Sequence, residues 1–246
     1  MGDPPATPAK KKDAASRRRP TAYKPVEVKE SGTIMGTVRY TSAVPPPKKI
    51  QVVKDHETCD GRPKEEALIK VDAKGLLAEA VVYLSDIKEG KDWAKDAKTP
   101  LINQKMCTFE PHVQAVRAST PVDVLNSDPV AHNIQANQRV YTLFNVLQPQ
   151  QNMRSAQKFE KPGVVDIKCN VHDWMHAYVH VFLHPYHQVT ASDGAFKLDT
   201  VPTGKYELVV WQEHLGEQAF EVEVKAGATV NLDITLEPKA GDAGGK

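Results

Sequence analysis

Residues 164–183 read V-V-D-I-K-C-N-V-H-D-W-M-H-A-Y-V-H-V-F-L, and their periodicity decides the fold. Val165, Ile167 and Cys169 alternate with their neighbours in the two-residue repeat of a strand that buries one face. Ala177, Val179, Val181 and Leu183 repeat the alternation after a short break. Two strands therefore flank a tight loop, and their phase aims the Cys169 side chain inward, away from bulk water. The loop carries Cys169, His172 and Met175 in the spacing C-x2-H-x2-M. Upstream, N-S-D-P-V-A-H-N at 126–133 places His132 just after a strand expected over 122–126.

One thiolate, two imidazoles and one thioether form the donor set that suits copper in both its oxidation states. Three of the donors share one loop, and the fourth must come from a neighbouring loop at the same end of the sandwich. Each residue alone has a plainer reading. Cys169 could be a small buried hydrophobe, Met175 a core residue, and His132 a capped loop histidine. A structural zinc site seldom combines one Cys with a thioether. A Cys169–His172 nucleophile pair meets poor geometry on so tight a loop, and no orienting acid is evident. The conjunction of the four favours copper. His112, in C-T-F-E-P-H-V, is an alternative ligand. His176, His180 and His184 recur every four residues but sit in strand-favouring sequence, which predicts a solvated or interdomain face.

Outward from this centre the texture is β almost throughout. Strands are expected over 32–40, 50–54, 67–71, 80–84 and 113–116, with turns at 45–47, 60–61 and 74–75. A short helix is expected over 92–97. The Gln- and Asn-rich stretch 135–161 reads as an excursion or lid. Beyond it, V-T-A-S-D-G-A-F-K-L at 189–198 and V-P-T-G-K-Y-E-L-V-V at 201–210 alternate turn and strand, and 220–224 and 229–236 complete a small antiparallel sandwich.

Formal charge is +1 from 32 basic and 31 acidic residues, which gives no overall field for nucleic acid or an anionic membrane. No apolar run approaches the ~20 residues of a membrane-spanning helix. The Pro/Ala-rich head carries the basic clusters 10–12 and 17–19 without an apolar signal-peptide core. It and the tail from 239 are expected to be disordered. The three cysteines call for a division of labour, with Cys59 and Cys107 either bridged or reduced and Cys169 reserved for metal. A bridge would imply an oxidising compartment.

The C-x2-H-x2-M loop after an alternating strand, with His132–Asn133 upstream, resembles the cupredoxins, the plastocyanin- and amicyanin-like blue copper proteins. The resemblance implies a Greek-key β-sandwich holding one copper ion through His132, Cys169, His172 and Met175. It implies that Asn133 ties the two ligand loops together, that Trp174 covers the site, and that His172 is the ligand nearest the surface, the port for electrons. It implies single-electron exchange with a protein partner and no catalytic residue. The tail, D-G-A-F-K-L-D-T-V-P-T-G-K-Y-E-L-V-V, is similar to carboxypeptidase regulatory-like domains of transthyretin type, with Gly194 and Gly204 in turns and Phe196 and Tyr206 packed inward. That resemblance implies regulation, adhesion or carbohydrate-like binding. The combination looks like bacterial secreted proteins labelled methylamine utilisation proteins.

The expectation is therefore an all-β chain: a head (1–31), a cupredoxin-like domain (32–185, its early strands open to joining the second sandwich), a carboxypeptidase regulatory-like domain (186–238) and a tail (239–246). Its expected role is type 1-like copper electron transfer in the periplasm or outside the cell. The alternative is a module gripping a polysaccharide or envelope partner, with structural or sensory copper.

Overall fold

The computed structural model describes residues 22–63 and 65–238, together with two-residue strands at Thr7–Pro8 and Lys11–Lys12. Most of the head and the tail expected to be disordered lie outside the described residues. The chain is all-β. Among the described residues the one helix is the single turn His56–Cys59. Residues 92–97, where a helix was expected, form turn and coil. That segment is charged and offers no apolar stripe to bury.

The chain divides into two compact units, each discontinuous in sequence: 1–45 with 68–93 and 183–246, and 46–67 with 94–182. In the first unit, Ser31–Tyr40 lies between Thr229–Leu236, its parallel partner, and Ala195–Pro202, its antiparallel one. A second sheet orders His187–Val189, Val81–Leu84, Gly204–Gln212 and Gly216–Val224 as antiparallel neighbours. The early strands thus complete the tail's sandwich, which the tail strands alone leave without a partner for Thr229–Leu236. Ile34, Val38, Leu77, Val82, Leu84, Phe196, Leu208, Val210, Ile234 and Leu236 form its core. At the Ser-Asp-Gly turn Gly194 has φ 62°, the left-handed region that glycine enters freely.

The second unit is built mainly on two larger sheets. One orders Thr108–Glu110, Leu101–Lys105, Pro121–Asn126 and Arg154–Lys158; the other orders Val113–Arg117, His176–Phe182, Gly163–Lys168, His132–Gln138 and Tyr141–Gln148. The chain crosses repeatedly from sheet to sheet, and each sheet buries alternate residues: Ile102, Val122 and Val124 in the first, Ile134, Ala136, Val165, Ile167, Val179 and Val181 in the second. These alternations are the β-sandwich pattern.

Three expectations are corrected here. Residues 135–161 are not a lid; they supply the strands His132–Gln138, Tyr141–Gln148 and Arg154–Lys158. Their polarity reflects the sheet edge, where Tyr141–Gln148 leaves Tyr141, Leu143 and Leu147 exposed. Residues 50–54 are not a strand, and Val53 stands exposed in a loop. Of the solvated or interdomain face expected over His176, His180 and His184, the solvated reading holds only at its start, because His180, Phe182 and His184 are buried.

Candidate metal centre

The strand Gly163–Lys168 delivers Cys169 with the phase the alternation requires: Val165, Ile167 and Cys169 are all buried. The following loop closes on itself through Met175 N donating to His172 O (3.0 Å) and Cys169 N donating to Met175 O (3.3 Å). His172 N also donates toward Cys169 Sγ at 3.4 Å. Met175, buried at the loop's end, then leads into His176–Phe182. His132 opens the neighbouring strand His132–Gln138, which pairs antiparallel with Gly163–Lys168.

The fold brings His132, Cys169 and His172 together, with one ligand atom from each within 4.8 Å of the others. The two imidazoles approach through Nδ1, 2.9 Å apart. Their far nitrogens are each tied to a carboxylate. His132 Nε2 is 2.8 Å from Asp128 Oδ2, and His172 Nε2 is 2.8 Å from Asp55 Oδ2. A carboxylate on Nε2 fixes the proton there and leaves the Nδ1 lone pair bare. Two bare lone pairs 2.9 Å apart beside a thiol repel one another unless a proton or a cation lies among them. Burial raises the Cys169 pKa. The imidazoles of His132 and His172 and the amides of Asn133 and His172 more than offset that, bringing the thiol to about 6 from an ordinary 9.0. A readily ionised thiol beside two imidazole nitrogens is a donor set that fits a soft or borderline metal ion.

The surrounding residues hold this arrangement. Asn133 Oδ1 accepts from the backbone amides of Asn170 and Val171, and its amide donates to Asn145 Oδ1, so one side chain joins both ligand-bearing segments. Trp174 packs its ring 5.1 Å from that of His172 and donates through Nε1 to Cys107 O. Cys59 and Cys107 form a disulfide, and Cys59 Sγ lies 3.7 Å from His172 Nε2. Asp128 accepts from the amides of Met106 and Cys107 as well as from His132, contacts that hold its carboxyl below the usual range against the opposing pull of burial.

One expectation changes. His172 is fully buried, capped by Asp55 and the disulfide, and is no open port. The carboxylates Asp55 and Asp128 are the residues that sequence reasoning missed. Asp128 stands inside the quoted N-S-D-P-V-A-H-N, four residues before His132. Asp55 lies 117 residues from its partner in a segment without pattern. Orienting acids for the histidines therefore exist, but Cys169 is 3% exposed, which suits a ligand better than a nucleophile that must reach substrate. His112 is not part of this centre; it clusters with Glu66 and His176.

Comparison with known proteins adds the following. A family model described as polysaccharide lyase family 4, domain II, matches residues 158–232. No curated protein matches. Among solved structures, the chain is similar to a purple cupredoxin from Nitrosopumilus maritimus, at 26% identity over 34% of this chain and 99% of that one, TM-score 0.31. It is similar to amicyanin from Paracoccus versutus, at 17% identity over 37% and 86%, TM-score 0.32. It is also similar to a copper-containing nitrite reductase from Thermus scotoductus, at 20% identity over 37% and 24%, TM-score 0.31. At these scores the weight of the functional reading rests on the site itself.

Proposed function

We propose that the second unit would hold one copper ion through His132, Cys169 and His172, with Met175 offering a thioether from the same loop, and pass single electrons to a protein partner. The observation that carries this reading is that His132, Cys169 and His172 each bring one ligand atom within 4.8 Å of the others, with the two Nδ1 atoms 2.9 Å apart and both Nε2 atoms held by carboxylates. When bound, copper supplies one-electron chemistry between Cu(I) and Cu(II). The protein's own residues orient the imidazoles, exclude water and keep the thiol ready to ionise. A rigid donor set limits rearrangement during each transfer, and hydrogen bonds to the sulfur tune the potential. No residue is assigned a bond-making role, so the reading is of a carrier rather than an enzyme.

Because His172 is covered, electrons would enter through its cover. Asp55, with a side chain 37% exposed, is the half-exposed group on that imidazole. Val53 and Met106, exposed apolar residues beside Asp55 and Cys107 in the chain, suit a transient docking patch. A Cys59–Cys107 disulfide suits an oxidising compartment, periplasmic or extracellular.

The test is the visible and EPR spectrum of the protein titrated with Cu(II), beside Cys169→Ser. An intense charge-transfer band at one copper per chain, absent in the variant, is the expected result. A colourless protein, or binding indifferent to Cys169, overturns it. The polysaccharide-lyase domain match favours a second reading, a glycan- or envelope-binding module. The aromatic platform such a module would use is not offered by Trp211, which is buried, nor by Trp93, which packs half-buried against His187. Retention on immobilised polysaccharide that survives loss of copper would favour it.

A further inference from the structure

We infer a second metal site in the same unit, formed by Glu66, His112 and His176, that takes a divalent transition ion of zinc type. One ligand atom from each residue lies within 4.8 Å of the others. The backbone enforces the meeting of the imidazoles. Val113–Arg117 runs parallel to His176–Phe182 with Val113 opposite Tyr178, and Tyr178 N donates to His112 O at 2.8 Å. The rings of His112 and His176 consequently stand 5.0 Å apart and nearly perpendicular, with Tyr178 packed edge-on against both. Glu66 arrives from the short strand Glu65–Glu66, held against Lys48–Lys49.

The protonation pattern suits ligation. His176 Nδ1 faces Trp174 O at 3.4 Å, while Nε2 faces Glu66 Oε1 at 3.8 Å. A ring that gives its Nδ1 proton to a backbone carbonyl keeps its Nε2 lone pair for a metal. The 3.8 Å gap is too long for a hydrogen bond. It is close to the spacing of two ligands that share one ion at about 2.0–2.2 Å each, roughly 3.3–3.5 Å. The other carboxylate oxygen, Glu66 Oε2, is buried without a hydrogen-bond partner, an arrangement a cation relieves. Arg62 lies buried within the field of Glu66 and offsets part of its charge, which tempers affinity for a cation.

Two imidazoles and one carboxylate, with no sulfur, select a borderline divalent ion over Cu(I). The side chains of His176 and Glu66 keep 21% and 19% of their exposure, so solvent can reach the site to complete a four-coordinate shell, as in zinc sites with three protein ligands. The site is separate in its ligands from the thiolate centre and independent of whether that centre binds copper, although Met175 and His176 are neighbours in the chain.

The test uses the full chain carrying Cys169→Ser, which removes the thiolate from consideration. Zn(II) is titrated by calorimetry at neutral pH, and the Zn-loaded protein is measured by X-ray absorption. One Zn(II) per chain with nitrogen and oxygen ligands at about 2.0–2.1 Å is expected. His112→Gln or Glu66→Gln, each added to that background, should weaken binding at least tenfold with unchanged circular dichroism. No stoichiometric binding, or binding that neither substitution weakens, overturns the proposal. Loss of binding on His132→Gln with both site substitutions silent would place the ion at the first centre and overturn it equally. Should one substitution unfold the chain, the other decides.

Discussion

The Asp55 carboxylate sits 2.8 Å from Nε2 of His172, and Asp55 itself adopts a left-handed backbone conformation at φ 51°, ψ 41° to place it there. Aspartate is among the few non-glycine residues that enter this region readily, so the chain places the carboxylate on His172 at small backbone cost. The carboxylate fixes the tautomer of His172 and raises its basicity as a ligand, so losing it weakens metal binding about 10–100-fold. Asp55→Asn tolerates the left-handed backbone and keeps an acceptor oxygen while removing the charge. It should show a smaller loss of Cu(II) affinity than Asp55→Ala in chelator competition. Equal affinities across wild type and both variants would show that the contact is incidental.

The Cys59–Cys107 bridge closes a loop of 48 residues. Loop-closure entropy for that span amounts to about 4 kcal/mol at most, and native disulfides commonly contribute about 2–4 kcal/mol. Cys59→Ser with Cys107→Ser should lower the melting transition of the second unit accordingly. It should also loosen the segment that carries Asp55 over His172, so that a small oxidant such as ferricyanide exchanges electrons with the copper-loaded variant faster than with wild type. An unchanged melting profile and an unchanged exchange rate would remove the bridge from both roles.

Part of this organisation is written in local pattern and part is not. The phase of Val165, Ile167 and Cys169 follows from a period of two and needs no knowledge of partners. The meeting of Cys169 with His132 is visible because chemically complementary residues stand at two strand ends. The contact of Asp55 with His172 leaves no local trace, since it depends on where a loop of ordinary composition lands. Residues 50–54 have strand-like β-branched composition but find no backbone partner, so they stay a loop; strand propensity is largely a measure of packing context. The Gln and Asn residues of 135–161 pointed the other way and misled for the same reason. There, sheet pairing outweighs composition, and Gln104 and Gln148 bury their amides against one another at 2.5 Å, with Gln148 also donating to Val124 O.

Gly36 tests the parallel pair that unites the early and late strands. It lies opposite Leu232 in the register of Ser31–Tyr40 with Thr229–Leu236, and a Cβ built there would stand 1.7 Å from Leu232 O. The obstructing atom is backbone, so no rotamer change relieves it. Gly36→Ala should destabilise the first unit by about 3 kcal/mol or more, at the upper end of what overpacking costs. Gly227→Ala is the control. Its φ is 67° with nothing within 4 Å, so only the left-handed backbone penalty of about 1–2 kcal/mol applies. Denaturant titration of both variants should rank Gly36→Ala clearly below Gly227→Ala; the reverse order would contradict the register.

His187 should make the first unit acid-sensitive. Burial first, and then the positive fields of His184 and Lys91, depress its pKa from 6.5 to about 3. In the unfolded chain it titrates near 6.5. Between these values the unfolded state binds a proton that the folded state refuses, so stability falls as pH falls. The contribution is fully present above about pH 7.5, is lost progressively as pH drops through 6.5 toward 3, and levels off below that. Replacing His187 with Gln removes the titrating group, although it also gives up the ring contact with Trp93 at 5.4 Å. The variant should therefore start less stable at pH 8 and lose less on acidification, so that its melting temperature converges toward that of wild type near pH 5. Parallel melting curves for the two proteins across pH 8 to 5 would mean that His187 is protonated as readily in the fold as out of it.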